Sequence, residues 1–261
     1  MEKRFSRSGH KCLANSLTND ACIFRIFVIK IGHMKQRKEK RMKNHRHFMH
    51  SIKTLTKPIV FTFLDSYLDE NIRALVFYLE HAKNSRLEFP VHLNKYEGTK
   101  VLRFIDVPID SCGKASPMRV ALQASSPDLL LTLLRYGANV NPKDGGMMPI
   151  VAILDKLVGS PECTQIHVET CLKILLKTVP TIEMPYKPFT FEHRKGMFIQ
   201  KYEVLFERGC IKQEQVFGVM DLKHLCRCTI RENLRANYQL PSGINMLKVP
   251  KSLKCYIDLM D

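Results

Sequence analysis

Cysteine and histidine are the residues of this chain whose spacing could do chemistry. Nine cysteines stand at 12, 22, 112, 163, 171, 210, 226, 228 and 255, and no two form a CxxC pair. An odd, unpatterned set without an export signal points to reduced intracellular thiols rather than a disulfide framework. His45, His47 and His50 make an HxHxxH pattern, but no carboxylate or thiolate nearby completes a metal-ligand set, so we read the trio as accidental. His224 lies two residues before Cys226, a pairing that could join a base to a thiol nucleophile. The chain has no GxSxG elbow, no Gly-rich phosphate loop and no HExxH. The expectation is a non-catalytic protein with no metal and no cofactor.

The elements that would position any site begin after a basic arm. Residues 1–53 carry 14 of the 41 Lys and Arg but only 3 of the 25 Asp and Glu, so most of the net charge of +16 belongs to that arm. Residues 1–56 read as a largely disordered tail in which KQRKEKRMK (35–43) fits a nuclear import signal or a nucleic-acid patch. The longest apolar-rich stretch, Ala21 to Ile31, is interrupted by Arg25 and Lys30 and falls short of the roughly 18 residues a membrane span needs. The expected location is cytoplasmic, or nuclear through the 35–43 run.

From Pro58 onward the apolar spacing is helical. Leu68, Ile72, Leu75, Val76, Tyr78 and Leu79 recur near a 3.6-residue period, with Asp69 as an N-cap and Asn84 near the exit. In SPMRVALQASSPDLLLTLLRYGANVN (116–141), Ser116 can cap a helix that Pro117 begins. Ala121 is small enough for two antiparallel helices to approach, and Leu129, Leu130, Leu133 and Leu134 give the second helix an apolar face. Gly137 ends that helix, and Asn139, Val140 and Asn141 open a loop.

This stretch resembles an ankyrin repeat in the register TPLHxA followed by VVxxLLxxGAxVN. One repeat cannot bury its own faces, so neighbours are expected. The next starts at Met148 and Pro149 and reaches its leucine pair at Leu175 and Leu176, about ten residues late by that repeat spacing. An insertion near 158–168 should therefore bulge from the turn between its helices. FIQKYEVLFERG (198–209) ends like the second helix of a last repeat.

Near the C-terminus, LKHLCRCTIRENL (222–234) sets Leu222, Leu225, Cys226, Ile230 and Leu234 on one helical face behind Asp221, a fitting N-cap. The bland reading is a helical cap on the solenoid. With LPSGINMLKVPKSLKCYIDLM after it, however, the tail resembles a SOCS box. Leu222, Cys226 and Ile230 match the BC box of that family, which also accounts for the His224/Cys226 pair without catalysis. The resemblance implies that these residues and Leu225 dock on elongin C. Leu240, Pro241, Ile244 and Leu247 match the cullin box LPxP, except that Gly243 stands at the second proline. Leu253, Tyr256 and Ile257 fit the closing helix, packed inside the box.

Together the motifs resemble the ankyrin repeat and SOCS box family. The expected fold is all-α: an arm (1–56), a solenoid of ankyrin repeats (57–215) and a three-helix SOCS box (216–261). The resemblance implies a substrate receptor of a cullin-RING ubiquitin ligase, with elongin C, elongin B and cullin 5 with its RING-box protein as partners and an unknown protein as target. Target contacts would come from Arg119 and Gln123 on an inner helix and from Asn139, Asn141, Lys143 and Asp144 in a finger loop. The alternatives are an ankyrin binding module whose C-terminal helices only cap the solenoid, and a nucleic-acid-binding protein using the arm.

Overall fold

The computed structural model describes residues 72–92, 98–109, 112–142, 146–159, 162–185 and 189–261. The basic arm, the HxHxxH trio, Asp69, Lys143 and Asp144 lie outside these. Helix α1 spans 72–84 and buries Leu75, Leu79 and Ala82, spaced four and three residues apart as one face of a helix requires.

After α1 the chain departs from the all-α expectation. Strand β1 (Glu88–His92) pairs antiparallel with β2 (Thr99–Arg103), Glu88 opposite Arg103 and His92 opposite Thr99. The sequence of β1 alternates exposed Glu88, Pro90 and His92 with half-buried Phe89 and Val91, the period of a strand with one covered face. Pro90 breaks the helical pattern and tolerates this position in a two-stranded ribbon, where it stands opposite Val101.

Two helical hairpins follow. Helix α2 (Pro117–Gln123) packs on α3 (Pro127–Arg135), and α4 (Pro149–Gly159) packs on α5 (Glu162–Leu176). The hairpins stack through α2 on α4 and α3 on α5. Ser116 caps α2 by accepting from the Arg119 N–H, Ala121 is fully buried, and Leu129, Leu130, Leu133 and Leu134 fill the space beneath α3. Gly137, at φ +82°, ends α3 while its N–H donates to the Leu134 carbonyl at 2.9 Å. Where the extra residues of the second hairpin are described they are helical: α4 and α5 run 11 and 15 residues against 7 and 9 for α2 and α3. Continued helix satisfies the backbone of those residues internally.

Helix α6 (Phe191–Glu207) packs on α4, where the Tyr202 hydroxyl donates to Asp155 Oδ1 at 2.6 Å. The short α7 (Gln213–Phe217) receives the segment after α5, the Ile182 N–H donating to the Gln215 carbonyl at 2.8 Å. Three elements close the chain: α8 (Leu222–Ala236), a 3-10 turn at Ser242–Met246 and α9 (Lys251–Ile257), which packs on α8 and on the turn. They enclose a small core of Leu234, Leu240, Ile244 and Ile257, separate from the main core, which Leu259 joins.

Candidate docking site on the penultimate helix

Helix α8 starts where the sequence places it, with Asp221 Oδ1 accepting from the His224 N–H at 2.8 Å. Its orientation reverses that of an ordinary amphipathic helix. Leu222 is 76% exposed and Cys226 is exposed, with Leu225 and Ile230 half-buried beside them. The buried side instead carries His224, Arg227, Arg231 and Leu234. Leu222 and Cys226 are thus left facing solvent while charged residues go inward, and Ile230 packs at the edge of the box core.

Each inward polar side chain has at least one partner, which makes this arrangement affordable, although Arg227 Nε and Nη1 make no hydrogen bond. His224 Nε2 lies 2.8 Å from the Val179 carbonyl, and Arg227 Nη2 lies 3.0 Å from His224 Nδ1. A guanidinium only donates, so Nδ1 accepts and the ring proton sits on Nε2, donating to Val179. Arg227 also lies over the Tyr256 ring at 4.1 Å and faces Asp261 Oδ2 at 3.5 Å. Arg231 donates to the Leu134 carbonyl at 2.5 Å and to the Ile257 carbonyl at 2.9 Å. Burial pushes its pKa down to about 10, with Asp258 acting in the opposite direction.

Ion pairs tie the end of the box to the hairpins. Arg135 holds Asp258 through two bonds of 3.1 and 2.5 Å, and Lys177 holds Asp261 at 2.8 Å. From the ribbon, Arg103 reaches the carbonyls of Gly137 (2.6 Å) and Arg235 (3.3 Å), and Tyr238 donates to Glu88.

The structure separates His224 from Cys226, placing one inside and the other outside on α8. The thiol near the imidazole is Cys228, with Sγ 3.6 Å from Nε2, and burial raises its pKa. A protonated thiol is the reverse of what a nucleophile needs. Among the described residues, no group of three His, Cys, Asp or Glu side chains could hold a metal ion.

The residues matched to the cullin box are distributed differently from those of the BC box. Leu240 and Ile244 are buried in the box core, with Leu247 packed at its edge and Pro241 half-buried. The same segment turns Met246 outward. Gly243 is buried: a Cβ there would stand 2.7 Å from Gln239 Cβ and 3.1 Å from Leu234 Cδ2. Its N–H donates to the Gln239 carbonyl at 2.5 Å, a bond proline could not make. The closing helix buries Ile257, but Leu253 is part-exposed and Tyr256 lies between Lys223 and Arg227 rather than in the core.

The target-contact candidates do not share one open surface. Arg119 is buried, donating to the Met147 carbonyl with Gly146 pressed against its guanidinium. Gln123 is exposed at the end of α2, where its carbonyl accepts from Lys156 Nζ at 2.7 Å. Asn139 is half-buried. Its N–H donates to Asp106 at 2.7 Å and its side chain accepts from the Asn141 N–H at 3.1 Å, which makes both asparagines parts of the turn.

Sequence reasoning missed His224, Arg227 and Arg231 as interior residues. Their spacing of three and four is a helical face, but charge on such a face ordinarily signals solvent.

Comparison with known proteins gives two similarities. The SOCS box family model matches residues 218–258, the segment that holds α8, the turn and α9. The chain is similar to ankyrin repeat and SOCS box protein 17 of Mus musculus, 27% identical over 155 residues, which is 55% of this chain and 49% of that protein. The chain therefore spans about half the length of the curated relative it matches. No solved structure matches. The similarity thus lies in a C-terminal segment that matches the SOCS box and in a partial likeness to one ankyrin repeat and SOCS box protein.

Proposed function

We propose that this chain is a non-catalytic substrate receptor of a cullin-RING ubiquitin ligase. In this reading the hairpins α2/α3 and α4/α5 are ankyrin repeats that hold a target protein. The SOCS box docks elongin C, with elongin B, and through them cullin 5 and its RING-box protein. The chain would promote transfer by proximity, raising the local concentration of a target lysine beside a charged ubiquitin carrier. The repeat assignment is supported by the Ser116 cap, buried Ala121, the leucine face of α3 and the left-handed Gly137, each where a repeat requires it.

One observation carries the proposal: within the matched SOCS box, Leu222 and Cys226 face outward while polar residues hold the opposite side of α8. An apolar stripe at i and i+4, flanked by Leu225 and Ile230, suits helix-in-groove recognition. A helix serving only as a solenoid cap would turn that stripe inward, so the orientation disfavours the capping alternative. For the cullin, the buried Leu240 and Ile244 act by shaping the box, and Pro241, Leu247 and Met246 are the residues we assign to its outer surface. Cytoplasmic residence, with nuclear entry through the 35–43 run, fits this role.

The test is co-expression of the full chain with elongins B and C, beside a variant carrying Leu222→Asp and Cys226→Asp. A three-protein peak on size exclusion that the variant loses is the expected result. A wild-type chain that runs alone and folded would refute the proposal.

A further inference from the structure

One residue on the inward side of α8 touches three helices at once. Arg231 belongs to α8; its Nη2 donates to the Leu134 carbonyl in the last turn of α3, and its Nη1 donates to the carbonyl of Ile257, the last residue of α9. Both acceptors lie at C-terminal helix ends, where the peptide dipoles place partial negative charge. The next residue after Ile257, Asp258, is gripped by Arg135, the last residue of α3. The ends of α3 and α9 are thus joined twice, once directly and once through the guanidinium of α8.

A planar fork with its donors at fixed angles can hold two carbonyls in one relative placement, whereas an ammonium on a flexible stem cannot. Replacing a whole buried ionic set by apolar groups often leaves stability little changed, whereas removing one member strands the others, so the role of this arginine is read from geometry rather than from stability alone. From these contacts we infer that Arg231 is a positioning residue: it fixes the angle at which α8 carries the Leu222–Cys226 stripe relative to the helical hairpins. It thereby sets where a bound target would stand with respect to whatever docks on the stripe. The functional meaning of the inference rests on the docking reading above; its structural content does not.

The experiment uses the full chain with a donor and an acceptor fluorophore installed as noncanonical amino acids at Gln123 and Ala236, both exposed, at the ends of α2 and α8. Time-resolved energy transfer would read the distance distribution in wild type, Arg231→Lys and Arg231→Met, each free and mixed with elongins B and C. The expected result is one narrow distribution in wild type and a width at least doubled in both variants, while elongin affinity agrees within twofold among the three. Widths that match wild type in either variant would overturn the inference, the lysine case by showing that the fork is not needed. If the methionine variant does not fold, the lysine variant decides. If wild type does not bind the elongins, the docking reading falls, and the widths in the free chain still test the strut.

Discussion

Leu222 and His224 lie two residues apart on α8 and face opposite ways, the leucine 76% exposed and the histidine 3%. A helix normally resolves such a pair the other way round. The reversal holds because the histidine ring has partners, among them the Val179 carbonyl and Arg227, whereas the leucine stands beside the exposed Cys226.

The first prediction separates stability from docking. Leu222→Asp should change folding stability by no more than about 0.5 kcal/mol, as a surface substitution does. Leu234→Ala, made one face away in the box core, should lower it by about 2–3 kcal/mol. Urea denaturation of the two variants checks both, and equal losses would mean that Leu222 is an interior residue.

Gly243 gives the second. Installing the second proline of the LPxP pattern removes the N–H bonded to Gln239 and places a ring carbon against Gln239 and Leu234. Gly243→Pro should destabilise the chain by about 3 kcal/mol, and Gly243→Ala by about 1–3 kcal/mol through crowding. A denaturation midpoint unmoved by either would show that the turn has room.

Gly137 couples the array to the box. At φ +82° a Cβ is strained, and it would also meet Arg235 Cγ at 3.0 Å and Leu240 Cδ1 at 3.1 Å. Gly137→Ala should therefore cost more than the roughly 1 kcal/mol expected of a left-handed position alone. The excess should shrink when Leu240→Ala is added, a coupling that a double-mutant cycle reads directly.

How far the sequence foretold this fold depended on whether local pattern and burial agreed. They agreed for α2 and α3, where Ser116, Ala121, the four leucines and Gly137 act through near neighbours, and for Asp221 at the start of α8. They disagreed in three places. The ribbon of β1 and β2 was hidden by Pro90 and by the shortness of its strands. The insertion before Leu175 looked like a loop because the repeat spacing fixes where helices end, yet nothing in residues 162–176 forbids helix. The inward face of α8 was illegible because the carbonyls that receive Arg231 belong to residues 97 positions earlier and 26 later, and no local pattern reports such partners. In the candidate site, the BC-box spacing located the outward stripe, but the LPxP match did not reveal which of its residues face inward.

The pH dependence follows from Glu232, whose carboxyl is held below the usual range by its hydrogen bonds to Arg235, with burial opposing. A depressed folded pKa means that this contribution is complete above the unfolded value and is lost as pH falls through the folded one. Stability should decline below about pH 5, and the decline should be shallower in Glu232→Gln. The carboxylate is well exposed, so the same difference should weaken in high salt.

The most direct test of the central claim is the affinity of the purified full chain for an elongin B and C complex, measured by isothermal titration for wild type and for Leu222→Asp with Cys226→Asp, alongside the melting temperature of each. Outward docking predicts saturable binding by wild type, at least a hundredfold weaker binding by the variant, and melting temperatures that agree. Unchanged affinity, or a loss of affinity accompanied by a collapse of the melting temperature, would contradict the claim that this face of α8 is a docking surface.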